Sequence, residues 1–335
     1  MLIDEGRTAH WRPAPIQITL RSIGEGRPNI STSRRSSFHR IVPECALAVV
    51  LTLVCSTAFA APATFVTALP VAENQVLVRF NVQPLFGSEG YRDVEVPVNI
   101  GYGLNPNWAL FTTIHQGSTT LDGNPSSGGE GDLLFFLRNT LYKRDKPKST
   151  FRITPLAGLS LPTGSNHNAF DGVLAPPDLQ TGSGTVDPYV GITSGYNSLR
   201  YGAAFDATWR YNPVTRSGYS PGSEFRSDGQ AEITMLPIHF PSQGLPSLFV
   251  LSVEANYTQQ SDSFVNGVET QDAAKTFCQD AILELASLHW EAGLGAQAPL
   301  LQDLASPSTP EEHTRYYAYF EYYLSAPNWH HRREQ

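Results

Sequence analysis

The sequence predicts an all-β fold, an antiparallel transmembrane β-barrel of about 12 strands, on three observations. A short export signal precedes the β-rich region. The segments after that signal alternate apolar and polar residues with a period of two, and most are 11 to 14 residues long. The connections between them alternate short turns with long loops rich in Gly, Pro and Ser. These features predict an exported chain that crosses a membrane with strands.

The predicted export signal occupies residues 34–60. Arg34, Arg35 and Arg40 precede an apolar core, which is followed by Ala58-Phe59-Ala60, a small-x-small site of the kind that signal peptidase cleaves. The apolar core has only about 10 residues, whereas a membrane-spanning helix needs about 20. We therefore expect cleavage and a mature chain that begins near Ala61, with 61–73 as a short N-terminal segment.

Residues 1–33 are polar and Arg-rich, and we interpret them as a leader extension from a mis-assigned start. Cys45 and Cys55 fall within the leader, so the mature chain keeps only Cys278 and no internal disulfide is expected.

After residue 60 the chain has 16 Lys and Arg against 27 Asp and Glu, a formal charge of −11. This charge argues against nucleic acid as a partner. No later stretch reaches about 18 apolar residues, so no further transmembrane helix is predicted.

The alternation is clearest over residues 93–102, where one face carries Val94, Val96, Val98, Ile100 and Tyr102 and the other carries Asp93, Glu95, Pro97, Asn99 and Gly101. One face suits hydrocarbon and the other suits water. The same division recurs at 201–211 and 225–236. In each segment the charged residues share the face that would point inward.

Twelve strands are predicted, at 74–86, 91–103, 107–117, 131–142, 150–161, 185–196, 199–211, 225–238, 247–259, 275–286, 287–299 and 314–325. An even number is what a bacterial barrel requires. Residues 273–288 also carry apolar residues at helical spacing, and a helix there would reduce the count to ten. The strict alternation in the following segment needs a neighbouring strand, which favours the 12-stranded form.

The loop lengths provide a separate test. Short connections follow the second, fourth, sixth and tenth strands, at Leu104-Asn105-Pro106, Arg144 to Pro147, Asn197-Ser198 and directly after 286. Long loops at 118–130, 162–184, 212–224, 260–274 and 300–313 follow odd-numbered strands. The tight first connection, Gly87 to Gly90, and the longer eighth, His239 to Pro246, depart from this pattern. An immunoglobulin-like sandwich would require neither the alternation nor strands this long.

Aromatic residues near the predicted strand ends are typical of membrane-interface girdles, as at Tyr102 and Trp108, Tyr142 and Phe151, and Tyr196 and Tyr201. The last strand, Tyr316 to Leu324, is the densest aromatic run in the chain. It resembles the C-terminal assembly signal of outer-membrane proteins, so the barrel assembly machinery is an expected partner. A polar tail, 326–335, follows it.

The segments Gly131-Asp132-Leu133-Leu134-Phe135-Phe136-Leu137 and Leu159-Ser160-Leu161-Pro162-Thr163-Gly164 resemble the outer-membrane family known as "MetA-pathway of phenol degradation". Gly182-Ser183-Gly184-Thr185-Val186-Asp187 and Gln297-Ala298-Pro299 are similar to later elements of that family. The resemblance covers nearly all of the mature chain and departs from the family pattern at 275–286. It implies a barrel that passes small molecules, with aromatic compounds among the candidates.

The sequence contains neither spaced Cys and His ligands nor a Gly-rich phosphate loop, so no metal or other cofactor and no enzymatic activity is expected. Some 12-stranded barrels carry a Ser-His hydrolase site that faces lipid. His115, His239 and His289 are the candidate general bases for such a site, but their strand neighbours show no recognisable nucleophile. Lipid hydrolysis is thus the less favoured alternative.

The candidate lumen-lining residues are the charged residues of the polar faces: Arg79, Glu95, Asp132, Asp206, Arg210, Arg226, Asp228, Glu232, Glu254 and Glu291. They can set solute selectivity, or they can form ion pairs that only hold a plugged barrel together. The first reading predicts a passive channel for small organic solutes in the outer membrane, with lipid and solute as partners. The second predicts a non-conducting barrel that displays its loops.

Overall fold

The computed structural model describes residues 71–88, 90–120, 126–170, 172–175, 179–240, 246–305 and 311–325. The leader extension, the export signal, most of the segment 61–73 and the tail 326–335 lie outside the described residues. Within the described ranges, no helix is long and apolar enough to cross a bilayer.

Twelve antiparallel strands form one closed barrel, as the sequence predicts. In chain order they are β1 (Gln75–Gly87), β2 (Arg92–Glu95 and Val98–Gly103), β3 (Trp108–Ile114 and Gln116–Thr120), β4 (Ser127–Glu130, Leu133–Asn139 and Tyr142–Lys146), β5 (Ser149–Leu161), β6 (Asp187–Ser198), β7 (Tyr201–Arg210), β8 (Glu224–Leu236), β9 (Leu248–Gln260), β10 (Ala274–Ala286), β11 (Trp290–Leu304) and β12 (Glu312–Ser325). Each strand pairs with the next, and β12 pairs with β1. Pairing of β12 with β1 removes the two outer edges that an open sheet of these strands would have. Among the described residues, Ser127–Glu130, at the looped end of β4, pairs with β3 alone.

The alternation places apolar side chains outside and polar side chains in the lumen. On β1, Phe80 is 52% exposed on the exterior, whereas its neighbours Arg79 and Asn81 are 7% and 2% exposed. On β7, Phe205 faces outward and Asp206 faces inward. An exposed apolar band of this kind is stable only against hydrocarbon, so the exterior is a lipid-facing surface.

The ambiguous segment 273–288 is a strand. β10 pairs with β9 and β11 along its full length, with Ile282 opposite Ser252 and Gly295. Within a barrel wall, a strand with a neighbour on each side satisfies its backbone N–H and C=O groups by hydrogen bonds to those neighbours. The helical alternative and its ten-stranded barrel are therefore wrong.

Several strands extend beyond their predicted bounds. The predicted turn at Arg144 to Pro147 begins too early, because β4 continues to Lys146 before the chain reverses at 147–148. A hydrogen bond from Thr150 Oγ1 to Asp145 Oδ1 (2.6 Å) stabilises this hairpin. Similarly, β6 includes the predicted turn Asn197-Ser198, and β11 runs into the predicted loop as far as Leu304.

The connections separate the two ends of the barrel. At one end are the connections 104–107, 147–148, 199–200, 237–247 and 287–289, and at the other end are the longer loops. The loops carry small strands of their own: a hairpin of Ala169–Phe170 with Val173–Leu174, and a sheet of Tyr219–Ser220, Phe264–Val265 and Val268–Glu269. Because outer-membrane barrels have short periplasmic turns, the looped end is assigned to the cell exterior.

Aromatic side chains form contacts near both ends of the strands. Toward the short turns, Tyr142 meets Phe151 with ring centroids 6.0 Å apart, and Trp290 stacks on Phe320 at 6.4 Å. Toward the loops, the ring pairs are Phe86 with Tyr316, Trp209 with Tyr211, and Phe225 with Tyr257. Two aromatic bands that flank an apolar belt are typical of a membrane-spanning barrel.

One glycine is required by the close approach of strands β4 and β5. A Cβ atom on Gly158 would lie 1.9 Å from the carbonyl oxygen of Phe135 and 2.6 Å from the Cα of Phe136.

We predict that Gly158→Ala destabilises the barrel by about 1–3 kcal/mol, because the added methyl group must displace backbone atoms. Gly229→Ala is the matched control, since no heavy atom lies within 4 Å of its Cβ position. Urea unfolding in lipid vesicles, followed by tryptophan fluorescence, measures the difference; equal stability of the two variants would contradict the packing described.

Candidate functional site

The candidate site is a cavity of about 290 Å³ inside the lumen. On β1 its wall runs from Leu77 to Gln83, which is about 20 Å at about 3.3 Å per residue. Val71, next to the start of β1, lines the cavity at the short-turn end, and Arg210 and Glu224 line it where β7 and β8 meet their loop. The cavity therefore follows the lumen between the two ends of the barrel.

Three aromatic side chains cover one wall of the cavity, and we call Phe111, Phe136 and Tyr189 the aromatic strip. Phe111 and Phe136 stack with ring centroids 5.2 Å apart, and Phe136 meets Tyr189 edge to face at 6.0 Å. The strip follows one row of the sheet, because Phe111 is paired with Phe136, Phe136 with Gly158, and Gly158 with Tyr189. A continuous aromatic surface thus runs obliquely across β3, β4, β5 and β6.

Glycine makes room for this strip. A Cβ atom on Gly101 would lie 2.6 Å from Cε1 of Phe111, so the phenylalanine ring occupies the space that a side chain would need. The guanidinium of Arg138 lies over the same ring, 4.5 Å from its centroid. Ala109 and Leu156, both 4% exposed, complete an apolar cluster around the strip. The rings are therefore held in place from several directions.

Ion pairs line another part of the cavity, together with uncharged polar residues such as Asn81 and Asn99. Arg79 Nε lies 2.6 Å from Glu321 Oε2, and Arg226 Nε lies 2.7 Å from Asp228 Oδ2. Looser pairs join Arg210 to Glu224 at 3.3 Å and Arg315 to Glu95 at 3.8 Å. The cavity consequently has an aromatic wall and a charged wall. A solute with an apolar body and a polar group can contact both.

The lumen beside β9, β10 and β11 is filled instead of open. We call its inward residues Ser252, Glu254, Asp280, Glu284 and Gln297 the packed half; all are at most 7% exposed. Ser252 Oγ donates to Glu284 Oε1 (3.1 Å), and Gln297 Nε2 donates to Asp280 Oδ2 (3.1 Å). At its border, Tyr319 donates to Glu291 Oε1 (2.8 Å). Side-chain hydrogen bonds thus occupy this side of the barrel.

Three loops bond to one another at the external end. We call their described residues, 162–170, 172–175, 179–186, 211–223 and 261–273, the loop cap. Asn166 Nδ2 donates to the carbonyl oxygen of Tyr219 (3.0 Å), whose own N–H donates to the Asn166 carbonyl (2.9 Å). The N–H of Gly218 donates to Asn266 Oδ1 (2.8 Å). Asp132 fixes the first loop to the barrel by accepting from the N–H groups of Gly164 and Ser183.

The structure brings six of the ten predicted lumen-lining residues to the cavity: Arg79, Glu95, Asp206, Arg210, Arg226 and Asp228. Glu232, Glu254 and Glu291 also point inward, but they lie toward the packed half and do not line the cavity. Asp132 binds loop backbone. Sequence reasoning missed Arg138, Glu224, Arg315, Glu321 and the aromatic strip, although the alternation of Glu321 with outward-facing Phe320 and Tyr322 was a usable signal.

The candidate histidines for hydrolysis are not arranged as a triad. His115 lines the cavity, and no hydrogen bond joins its imidazole, or that of His239 or His289, to a serine among the residues that the structure describes. In the same residues, no three His, Cys, Asp or Glu side chains are grouped to hold a metal ion.

The buried pair of Arg79 and Glu321 joins β1 to β12. We predict that Arg79→Met destabilises the barrel by about 3–5 kcal/mol, because it leaves the Glu321 carboxylate, 3% exposed, without its cation. The double variant Arg79→Met with Glu321→Met should recover part of that loss, since the Glu321 charge is then removed, whereas Glu291, 3.9 Å from Arg79, still loses its cation. Urea midpoints in vesicles measure both, and additive losses would contradict a direct coupling.

Comparison with known proteins shows the fold. No family model and no curated protein matches the sequence. The crystal structure of an outer membrane channel from Pseudomonas putida F1 superposes with a TM-score of 0.54 at 12% identity, over 79% of this chain and 100% of that one. The β domain of the Bordetella autotransporter BrkA gives 0.39 at 10% identity over 75% and 99%, and the NalP translocator domain from Neisseria meningitidis gives 0.35 at 9% over 85% and 95%. With its lipid-facing exterior, this chain is therefore a closed 12-stranded β-barrel of the outer-membrane type.

Proposed function

We propose that this barrel is an outer-membrane channel through which small organic solutes, aromatic ones included, diffuse down their concentration gradient. The observation that carries the proposal is the cavity that follows the lumen between an aromatic wall and a charged wall. The likeness to a solved outer membrane channel and the resemblance to the phenol-degradation family support it. That family assignment is itself part of the proposal.

The aromatic strip suggests how a solute moves. A planar or apolar group in the cavity can contact Tyr189 and the small exposed parts of Phe136 and Phe111, which are 3% and 7% exposed. Neighbouring ring centroids are 5.2 and 6.0 Å apart, so these contacts are close together. Polar groups of the same solute face the ion pairs across the cavity. Exchange between similar neighbouring sites keeps binding weak enough for release. No cofactor takes part in this mechanism.

The proposal also assigns partners. Outer-membrane lipid contacts the apolar exterior, and the solute occupies the lumen. The aromatic strand β12 presents Tyr316, Phe320 and Tyr322 outward, all at least 39% exposed, where the barrel assembly machinery would recognise them. This recognition rests on the resemblance of the strand to the C-terminal assembly signal.

The rival function is a non-conducting barrel that displays its loops. The loop cap and the packed half favour it, since both fill space that a wide pore would leave open. A lipid hydrolase is a more distant rival that no described contact favours. Conduction discriminates the channel from both alternatives.

We predict discrete conductance steps when the refolded protein is added to a planar bilayer, and block of those steps by phenol. Phe111→Ala should weaken phenol block by about tenfold, the effect of losing about 1.4 kcal/mol of ring contact. Phe205→Ala removes a lipid-facing ring that is 48% exposed and should leave block unchanged. An absence of steps would reject the channel, and equal block of both variants would reject the role of the aromatic strip.

The loop cap should restrict entry to the cavity. Asn166→Ala removes the side-chain bond to Tyr219, so the cap loosens and the channel should spend more time in its higher-conductance state. Asn197→Ala, near the short-turn end of β6, is the control and should conduct like the unmodified protein. Single-channel recordings at matched voltage compare the two. Identical open fractions would show that the cap does not control entry.

A further inference from the structure

Negative charge predominates among the buried ionisable groups of the described residues. The buried carboxylates are Asp93, Asp187, Asp206, Asp228, Glu232, Glu254, Asp280, Glu284 and Glu321, and the buried arginines are Arg79, Arg138 and Arg152. Lumenal side chains lie in a low-dielectric tube, where the field of unbalanced charge is weakly screened. Four of these carboxylates, Glu232, Glu254, Asp280 and Glu284, lie away from the cavity, whose own lining carries five arginines and five carboxylates. Any preference of the cavity for one charge therefore depends on how individual groups are paired.

The charges that line the cavity are unevenly paired. Asp206 and Asp228 are opposite one another on β7 and β8, and both face the lumen. The guanidinium of Arg226 is the nearby cation, and its Nε is committed to Asp228 at 2.7 Å. Asn256 Nδ2 donates to the other Asp228 oxygen at 2.8 Å. Two carboxylates are therefore near one guanidinium, and the guanidinium forms its ion pair with Asp228.

Asp206 has no such contacts. It is 2% exposed and lines the cavity, yet no hydrogen bond or ion pair reaches its carboxylate from the residues that the structure describes. A buried ionised carboxylate is costly unless it is paired. The cavity therefore presents one carboxylate that is available to pair with a cation entering from solution.

The surroundings of Asp206 indicate the chemistry of that partner. A metal ion is disfavoured because no three candidate ligands are grouped among the described residues. Tyr189 lies within electrostatic reach of Asp206 and begins the aromatic strip, which offers faces to a cation and to an apolar body alike. An ammonium group donates several hydrogen bonds to a carboxylate, and a ring attached to it would lie on the strip.

From this geometry we infer that the channel prefers organic ammonium ions with an aromatic or apolar body, and that Asp206 is the residue that selects them. The inference rests on the proposed function and names the solute class of the same cavity. The aromatic strip accepts the body of the solute, and Asp206 supplies the negative charge that the ammonium group neutralises.

Three probes of similar size and different charge test the inference. Benzylamine is positively charged at neutral pH, benzyl alcohol is neutral and benzoate is negatively charged. With the full chain in a planar bilayer, benzylamine should block at the lowest concentration of the three. Equal or stronger block by benzyl alcohol or benzoate would overturn the inference.

Matched variants locate the effect. Asp206→Asn keeps the shape of the side chain and should weaken benzylamine block by about tenfold, as expected for the loss of one charge-assisted contact, while leaving benzyl alcohol unchanged. Asp93→Asn removes a buried lumenal carboxylate that accepts from Thr119 and does not line the cavity. It should leave benzylamine block intact. Equal effects of the two variants would show that Asp206 selects nothing.

A second measurement separates this inference from the channel proposal. Benzylamine binding to the full chain in detergent micelles, followed by calorimetry, does not depend on conduction. Binding that Asp206→Asn weakens, in a protein that never conducts, would reject the channel and retain the site. Conduction with equal affinity for benzylamine and benzyl alcohol would retain the channel and reject the site.

Discussion

Closure of the sheet between β1 and β12 is the constraint on which the rest of the structure depends. In hydrocarbon, an open sheet edge would leave backbone groups unsatisfied, so the first and last strands must pair. At this seam Arg79 and Glu321 are direct neighbours in the strand register and form a buried ion pair of 2.6 Å. At this seam, backbone hydrogen bonds join the two strands and an ion pair joins their lumenal side chains. Everything that faces inward is then confined to one narrow lumen.

That confinement explains why the lumen is divided. A barrel of twelve strands encloses more space than the side chains of one wall fill, but too little for a wide aqueous pore. Beside β9 to β11, long carboxylate and amide side chains fill the interior through bonds such as those of Ser252 to Glu284 and Gln297 to Asp280. Beside β2 to β6, glycines at 101 and 158 and flat aromatic rings leave the interior open. The same barrel therefore has a filled side and an open side.

Much of the fold could be predicted from the sequence because a strand with one face toward lipid and the other toward the lumen alternates apolar and polar residues with a period of two. The alternation of Asp93 with Val94 assigns both to their faces without any knowledge of their neighbours. Strand ends were less accurate, as at β4, because the Asp145 to Thr150 bond that extends the hairpin joins two residues across a turn. The export signal and the residue boundaries of the domains stay predictions.

The division of the lumen could not be predicted from the sequence. Asp206 and Glu254 show the same inward alternation, but one lines the cavity and the other lies in the packed half. What separates them is which side chains reach across the barrel, and periodicity carries no information about that. The loop cap could not be predicted for a similar reason, since β6 and β7 separate Asn166 from Tyr219 in the chain. Candidate residues could be named, but their grouping required the fold.

The measurement that tests the divided lumen most directly is cysteine accessibility in lipid vesicles. The three native cysteines, Cys45, Cys55 and Cys278, would be replaced by serine. A single cysteine would then be placed at Asn99, on the cavity wall, or at Ser252, in the packed half. We expect a water-soluble thiol reagent to label the cysteine at position 99 rapidly and the one at position 252 slowly. Equal labelling at both positions, or faster labelling at 252, would contradict an open passage along one side of a packed barrel.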